Sequence, residues 1–524
     1  MNNIVKIFDS TLRDGAQAAG ISFSLEDKLN VVKTLDELGV SYIEAGNPGS
    51  NPKDMEFFNL VKKLDLKHSR IAAFCSTRRK DSTPENDDSL KSALSSGAPV
   101  LVVVGKASAF QVENVLEVSL EENLSMIRET MSYLKAQGRE VIFDAEHFFD
   151  GYRDNAEYAL TAIKAAQEGG ADTIVLCETN GGILPDEVMC IVGEARKAVT
   201  IPLGIHCHND AGCAVANSLA AVRAGATHVQ GTYLGFGERC GNANLSTIIP
   251  NLQLKMGKSC IPDENIEKLT SAASDIADIA NITIESGMPY VGASAFAHKG
   301  GMHASGVVKA SSSFEHIDPA RVGNFRRFLA SEVAGRATIL QKIHQFDKSI
   351  TRDDPFVAET LSKLKELEYE GWQFESADAS FELLVRRING SYNPHFELIH
   401  CKAISEQPHK DDDGAFAAVK VRVDGRVEMT AAEGNGPVNA IDAALRKSLE
   451  VFYPTLSAVH LIDYKVRVLE SGEATGAKVR VLITTTDGQR TWTTVGVSAD
   501  IIEASWLALR DSIEYKLLRD EQNA

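Results

Sequence analysis

The sequence predicts an α/β chain: a (β/α)8 TIM barrel, then helical linker subdomains, then a C-terminal α+β domain with an internal repeat. Three observations carry this. Eight short runs rich in β-branched residues alternate with amphipathic segments through roughly the first 250 residues. Chemically competent polar residues follow most of those runs, where such a barrel keeps its active site. Near the end, a strand–turn–strand–helix pattern occurs twice. The expected boundaries are 1–265 for the barrel, 266–390 for the linker subdomains and 391–524 for the C-terminal domain.

In order, the runs that read as strands are Ile4–Phe8, Tyr42–Ala45, Ile71–Cys75, Val100–Val104, Val141–Phe143, Thr173–Cys177, Leu203–Cys207 and His228–Tyr233. Between them, Leu25–Leu38, Leu120–Lys135, Ala156–Glu168 and Ala211–Ala224 read as helices. Several of these close on glycine, at Gly39, Gly138, Gly169 and Gly225, the usual C-terminal stop. An open doubly wound sheet is the alternative. Its glycine-rich dinucleotide turn is missing after the first strand, where Asp9-Ser10-Thr11-Leu12-Arg13-Asp14-Gly15 stands.

The length of 524 residues exceeds what one core supports, so several domains are expected. The formal net charge of −18 argues against nucleic acid or an anionic membrane as the main partner, while leaving room for a local basic pocket. No apolar run reaches the length of a membrane span, and Asp9 precedes any signal-like core. The eight cysteines are scattered without a Cys-x-x-Cys pair, so a reduced, cytoplasmic enzyme is expected.

The most informative stretch is His206-Cys207-His208-Asn209-Asp210 at the end of the seventh run. Side chains alternate along a strand, so both imidazoles project together and Cys207 points away. Two neutral imidazoles converging on one point make a metal site that needs a carboxylate. An isolated pair is as readily satisfied by backbone and water. The other strand ends weigh against that: Asp9 with Arg13-Asp14, Glu44, Asp144 to His147, Glu178-Thr179-Asn180, and Gly235 to Asn242 all fall at the same expected face.

These residues bring a family into view. The chain resembles the metal-dependent acyl-CoA Claisen-condensing enzymes of the isopropylmalate, homocitrate and citramalate synthase group, the DRE-TIM metallolyases. The matching motifs are Asp9 to Gln17, the His206-x-His208 pair, Gly237-Glu238-Arg239-Cys240-Gly241-Asn242-Ala243, and Gly300-Gly301-Met302-His303. The likeness runs nearly end to end, and Asp144 to Tyr152 looks most like one citramalate-forming branch. It implies Asp14, His206, His208 and Asn242 as ligands of a divalent metal, whether Zn2+, Mn2+ or Mg2+. It implies Arg13 beside the alkoxide that develops on a chelated 2-oxo acid, Thr179 on the substrate carboxylate, and Glu146 or His303 as the base toward acetyl-CoA. In the family, the histidine equivalent to His303 approaches from the partner subunit, so a homodimer or higher homo-oligomer is expected. Two departures stand out: Ala16 replaces a glutamate, and Phe314 replaces a linker tyrosine.

Beyond about residue 260 the barrel rhythm stops, and Glu264–Ala280, Ala330–Ile343 and Val357–Tyr369 read as helices. In the tail, Asp424-Gly425 and Asp487-Gly488 each follow a β-rich run and mark hairpins. Each hairpin leads to a helix, Ala443–Glu450 in one copy and Leu507–Glu514 in the other. Gly434-Asn435-Gly436-Pro437 resembles the glycine-rich turn of the family's amino-acid-binding regulatory domain, with Gly434 and Gly436 as its regulatory positions. A purely dimerising module is the alternative.

The resemblance therefore implies condensation of acetyl-CoA with pyruvate to citramalate, on the route to isoleucine. The nearest rival is the same chemistry on 2-oxoisovalerate, giving isopropylmalate. A retro-aldol lyase would need neither His303 nor the repeated tail. A non-enzymatic amino-acid sensor would not need Arg13, Asp14, Glu146, His206 and His208 together.

Overall fold

The computed structural model describes residues 3–50, 52–329, 336–351, 354–405, 414–469 and 477–523. Eight parallel strands close a barrel: β1 (Lys6–Asp9), β2 (Tyr42–Glu44), β3 (Arg70–Ser76), β4 (Val100–Lys106), β5 (Glu140–Glu146), β6 (Thr173–Glu178), β7 (Leu203–Cys207) and β8 (His228–Gly231). Each strand pairs with the next, and β1 pairs with β8 through Lys6↔His228 to Asp9↔Gly231. Phe8, Tyr42, Val100, Val102, Ile142 and Val175 fill the interior. The alternate residues, such as Ile7, Ile43, Leu101, Val141, Phe143 and Ile205, pack outward beneath the helices. This two-faced burial explains why the strands are apolar runs rather than alternating ones.

Helix starts follow local capping. Leu25–Leu38 opens on Ser24, whose side chain and that of Asp27 form a reciprocal capping box. The segment expected as a helix over Ala211–Ala224 begins later, at Ala214. Ala211 donates its N–H to the Gly181 carbonyl at 2.8 Å, and Asn209 Oδ1 accepts from Ala214 N–H at 3.1 Å, so the first residues form a turn across the barrel mouth. The eighth strand ends at Gly231 rather than Tyr233, because Thr232 N–H bonds the Ala243 carbonyl and the chain turns into a short 3-10 segment, Tyr233–Gly235. The helix expected over Glu264–Ala280 is divided: a 3-10 turn at Asp263–Lys268 behind Pro262, then an α-helix at Leu269–Ile279.

The chain forms two compact units, Met1–Phe296 with Ile317–Phe325, and Ala297–His316 with Arg326–Ala524. In the second, β9 (Ala297–His298) and β10 (Arg327–Phe328) pair in parallel. Helices follow at Arg336–Ile343, Pro355–Tyr369 and Asp378–Ile388, the last unforeseen in the sequence. Of the helix expected over Ala330–Ile343, residues 330–335 lie outside the described residues.

The tail repeats a larger unit than the hairpins suggested, three strands and a helix. β11 (Glu397–Ser405), β12 (Ala415–Val423) and β13 (Arg426–Gly434) form one antiparallel sheet leading to the helix Pro437–Leu449. β14 (His460–Val468), β15 (Val479–Thr486) and β16 (Thr491–Ser498) form the other, leading to Ile501–Asn523. The register of the leading strand shifts at Leu398/His400 in one copy and Leu461/Asp463 in the other, equivalent places in the repeat. Asp424 and Gly425 both take positive φ, the tight two-residue hairpin turn. In the second copy the loop is longer, and Asp487 Oδ1 accepts from the N–H groups of Gln489 and Arg490.

Candidate metal centre and active site

β1 delivers the first components. Asp9 folds back on its own turn, accepting from Thr11 N–H at 2.9 Å and Thr11 Oγ1 at 3.0 Å. Burial pushes its carboxyl up to about 7 despite those bonds. Gly15 N–H bonds the Ser10 carbonyl at 3.0 Å, so the loop is tight and turns Arg13 and Asp14 toward the barrel axis. Asp9 thus shapes the loop that carries the working residues.

β7 supplies His206 and His208 on one face, with ring centroids 5.2 Å apart. Asp14, His206 and His208 are all buried, and one ligating atom from each lies within 4.8 Å of the others. Asp14 Oδ2 is 3.5 Å from His206 Nε2. His208 bridges to Asn242, which follows β8. Asn242 donates from Nδ2 to Asp14 Oδ1 at 3.1 Å and to the Phe236 carbonyl at 3.2 Å. Its Oδ1 and His208 Nδ1 are buried without a hydrogen-bond partner. A Cβ on Gly237 would lie 2.1 Å from Asn242 Nδ2, and Gly237 has φ +154, so only glycine lets that amide enter.

The electrostatics suit a cation. Burial holds His206 down at about 4, outweighing the attraction of Asp14, and burial lowers His208 as well. Both imidazoles are therefore neutral at pH 7. Burial would raise Asp14, but Arg13, joined in acid by the two histidines once they are protonated, outweighs it and holds the carboxyl at about 2. His206 Nδ1 sits 3.0 Å from Gln230 Oε1, and Gln230 Nε2 donates to Asp144 Oδ1 at 3.0 Å. The amide oxygen only accepts, so Nδ1 carries the proton and Nε2 turns its lone pair toward Asp14. A carboxylate, two neutral imidazoles and an orphaned amide oxygen fit a divalent ion.

Around this cluster, Arg13 Nε bonds Glu44 Oε2 at 2.8 Å and its Nη1 reaches Asp14 Oδ2 at 3.1 Å. Its guanidinium lies 4.3 Å from the centre of the Phe74 ring, and Ser10 Oγ donates to the same Glu44 oxygen. Thr179 Oγ1 accepts from His147 N–H at 2.9 Å, which leaves its hydroxyl hydrogen for a ligand. Arg239 ties the loops after β6, β7 and β8 together, donating to Asp210 and to the Thr179 carbonyl. Glu146, at the end of β5, pairs with Lys106 at the end of β4. Burial pushes Glu178 up to about 7, and its Oε1 accepts from Gly182 N–H at 3.0 Å, within a loop at the same mouth.

His303 belongs to the second unit, exposed on the helix Gly301–Lys309 and stacked on Phe314 at 4.2 Å. Gly434 ends β13 and is buried; Gly436 caps the helix that follows. Ala16 sits partly buried in the 3-10 turn after Asp14. Gln230 and Lys106 were not singled out from the sequence. Strand register could have found Gln230, since it lies opposite His206 across the β7–β8 pair.

With the geometry in hand, the chain matches the HMGL-like family over residues 4–276. It matches the homocitrate synthase post-HMGL domain-like family over 290–371 and the LeuA allosteric (dimerisation) domain over 375–517. It is 50% identical over 521 residues to the (R)-citramalate synthase of Geobacter sulfurreducens, covering 99% of each chain. It is 50% identical over 520 residues to that of Aquifex aeolicus, covering 99% of this chain and 98% of the relative. A 2-isopropylmalate synthase of Methanocaldococcus jannaschii is more distant, 30% identical over 522 residues with 99% and 96% covered.

Proposed function

The chain belongs to the (R)-citramalate synthase branch of the HMGL-like family, and from that premise we propose that it condenses acetyl-CoA with pyruvate and releases citramalate and CoA. The observation that carries the chemistry is the buried set of Asp14, His206, His208 and Asn242 beside the Arg13 guanidinium. These four residues would hold a divalent Mn2+, Zn2+ or Mg2+ ion, which when bound supplies the Lewis acid that polarises the 2-oxo acid's ketone.

The chain's own residues do the rest. Glu146, with His303 as the alternative, removes a proton from the acetyl methyl group. The resulting carbon nucleophile attacks the ketone carbon of pyruvate. Arg13, anchored by Glu44 and Phe74, stabilises the negative charge that develops on the ketone oxygen. Thr179 donates its hydroxyl hydrogen to the substrate carboxylate. The alkoxide takes up a proton to become the tertiary hydroxyl, and water then cleaves the thioester, giving a second carboxylate and the CoA thiol, which makes the overall step irreversible.

The product enters isoleucine formation, and the tail joins chains as a homodimer or higher homo-oligomer. The same tail binds an end-product amino acid, isoleucine, with the Gly434–Gly436 turn at its site. The duplicated three-strand units support this, since two copies can pair and leave a small-ligand site at their junction. Eight cysteines without a Cys-x-x-Cys pair suit a reducing compartment, and we assign the chain to the cytoplasm.

A thiol-release assay with acetyl-CoA and a panel of 2-oxo acids tests the activity. Pyruvate is expected to give the highest kcat/KM. A preference for 2-oxoisovalerate would replace this reading with isopropylmalate synthesis, and each methylene in a hydrophobic pocket separates such homologues by only about 1–3 kcal/mol.

A further inference from the structure

We propose that the open cavity at the amino-terminal foot of the barrel binds a phosphate dianion, free or as a monoester, between Lys6 and Arg139. The cavity is about 490 Å³ and lies wholly within the barrel unit. Of its lining residues, Lys6 opens β1, Glu140 opens β5 and Thr173 opens β6, so it sits at the end of the barrel opposite Asp14 and His206. Barrels of this kind do their chemistry at the other face, and a ligand here stands apart from the condensation.

The charges around this cavity do not balance. Two carboxylates line it, and both are already engaged. Asp172 accepts from Lys135 Nζ at 2.8 and 2.7 Å, one bond to each oxygen, and from Val141 N–H at 2.8 Å. Glu140 accepts from the Tyr42 hydroxyl at 2.7 Å and pairs with Arg70. Lys6 and Arg139 share the lining, and neither forms an ion pair among the described residues. Lys6 Nζ donates at 2.7 Å to the same Tyr42 hydroxyl that gives its hydrogen to Glu140. Arg139 is held by carbonyls, Nη1 on Ala98 at 3.2 Å and Nη2 on Leu94 at 3.4 Å, which fix the guanidinium and leave its charge whole. The field at Lys6 shows the same surplus. Burial, then repulsion from Arg70, holds its ammonium below the ordinary lysine range, and the pull of Asp172 does not make up for them.

In a chain of net charge −18, two anchored cations left unpaired beside one cavity make a place for an anion. A phosphate group carries about −1.5 to −2 charges near neutral pH, which matches two cations where chloride or a single carboxylate does not. Arginine and lysine are its usual donors, and Thr173 brings a hydroxyl to the same lining.

The test titrates the full chain by calorimetry with inorganic phosphate and with glycerol phosphate, in chloride buffer of constant ionic strength. In parallel, an amine-reactive label read by peptide mass spectrometry tells this site from any other cluster of cations. Labelling of Lys6 should fall several-fold at saturation, while that of Lys197, on the barrel's outer surface, should hold. Lys6→Gln should weaken binding by about tenfold or more, the loss of one charge-assisted hydrogen bond, with turnover unchanged. Equal affinity in Lys6→Gln, or Lys6 labelled alike with and without ligand, would overturn the proposal. Should Lys6→Gln fail to fold, the labelling of the native chain decides alone. A response to glycerol phosphate only makes the ligand a monoester, a response to inorganic phosphate only makes it the free ion, and a response to neither removes the site.

Discussion

His206 shows how much of the centre depends on one hydrogen bond. Gln230 accepts from Nδ1 and so commits Nε2 to the ligand position. Gln230→Leu should therefore weaken metal affinity by roughly 10- to 100-fold while the fold survives. Titration against a competing chelator, alongside circular dichroism, would show this; unchanged affinity would remove the positioning role. His206→Ala or His208→Ala should abolish both turnover and metal retention, and full metal occupancy in these variants would contradict the site. Arg13→Ala should lower kcat by about 10²–10³-fold with a smaller change in KM, because its charge matters most as the oxyanion forms. A normal kcat with only a raised KM would assign Arg13 to binding instead. At this scale the candidate ligands were legible where a local rule applied. His206 and His208 follow from the two-residue period of a strand, and Asp14 and Asn242 from their motifs. Gln230 was not, because its partner stands 24 residues away on the neighbouring strand.

Elements were legible where burial enforces a pattern. The eight barrel strands, apolar on both faces, were found in order, and the helices Leu25–Leu38 and Ala156–Glu168 have their expected ends. The outer strands of the tail escaped notice. β11 and β14 are mostly exposed edge strands in which Lys402, Lys465 and Arg467 interrupt the apolar residues, so neither reads as a buried run. The Gly434–Gly436 turn separates its two glycines clearly. A Cβ on Gly434 would meet Asn439 Oδ1 at 2.5 Å and Ala440 N at 2.7 Å, whereas one on Gly436 meets nothing. Gly434→Ala should cost about 1–3 kcal/mol of tail stability and Gly436→Ala less than about 0.5 kcal/mol, checked by denaturant unfolding. Equal effects would mean the turn adjusts freely. His395 adds a pH dependence. Burial alone would lower its pKa, but the 2.7 Å contact with Glu514, helped by Glu521, raises it. The stabilisation is thus complete below the unfolded value of about 6.5 and lost as pH rises through the raised folded value. Tail unfolding followed across that window should show the loss in the native chain and not in His395→Gln.

For the whole molecule, the expected outcome is a synthase selective for pyruvate and restrained by isoleucine. A coupling of about 1–3 kcal/mol would give about 5- to 150-fold control of affinity. Calorimetry on the full chain, together with loss of inhibition on ending the chain near residue 390, checks it; no binding of isoleucine or leucine would leave the tail a dimerising device. The closed ring has one more implication, for the order of events as the chain is made. Asp14 and Asn242 meet across 228 positions, and β1 finds its second neighbour only when β8 arrives. If the four candidate ligands grip an ion, none can be held by all of them before the last strand closes the circle, so metal uptake would be a clock for barrel completion. An ion that binds only the closed form also favours that form by mass action. During refolding, occupancy of the centre should lag the helical signal and coincide with the final cooperative step.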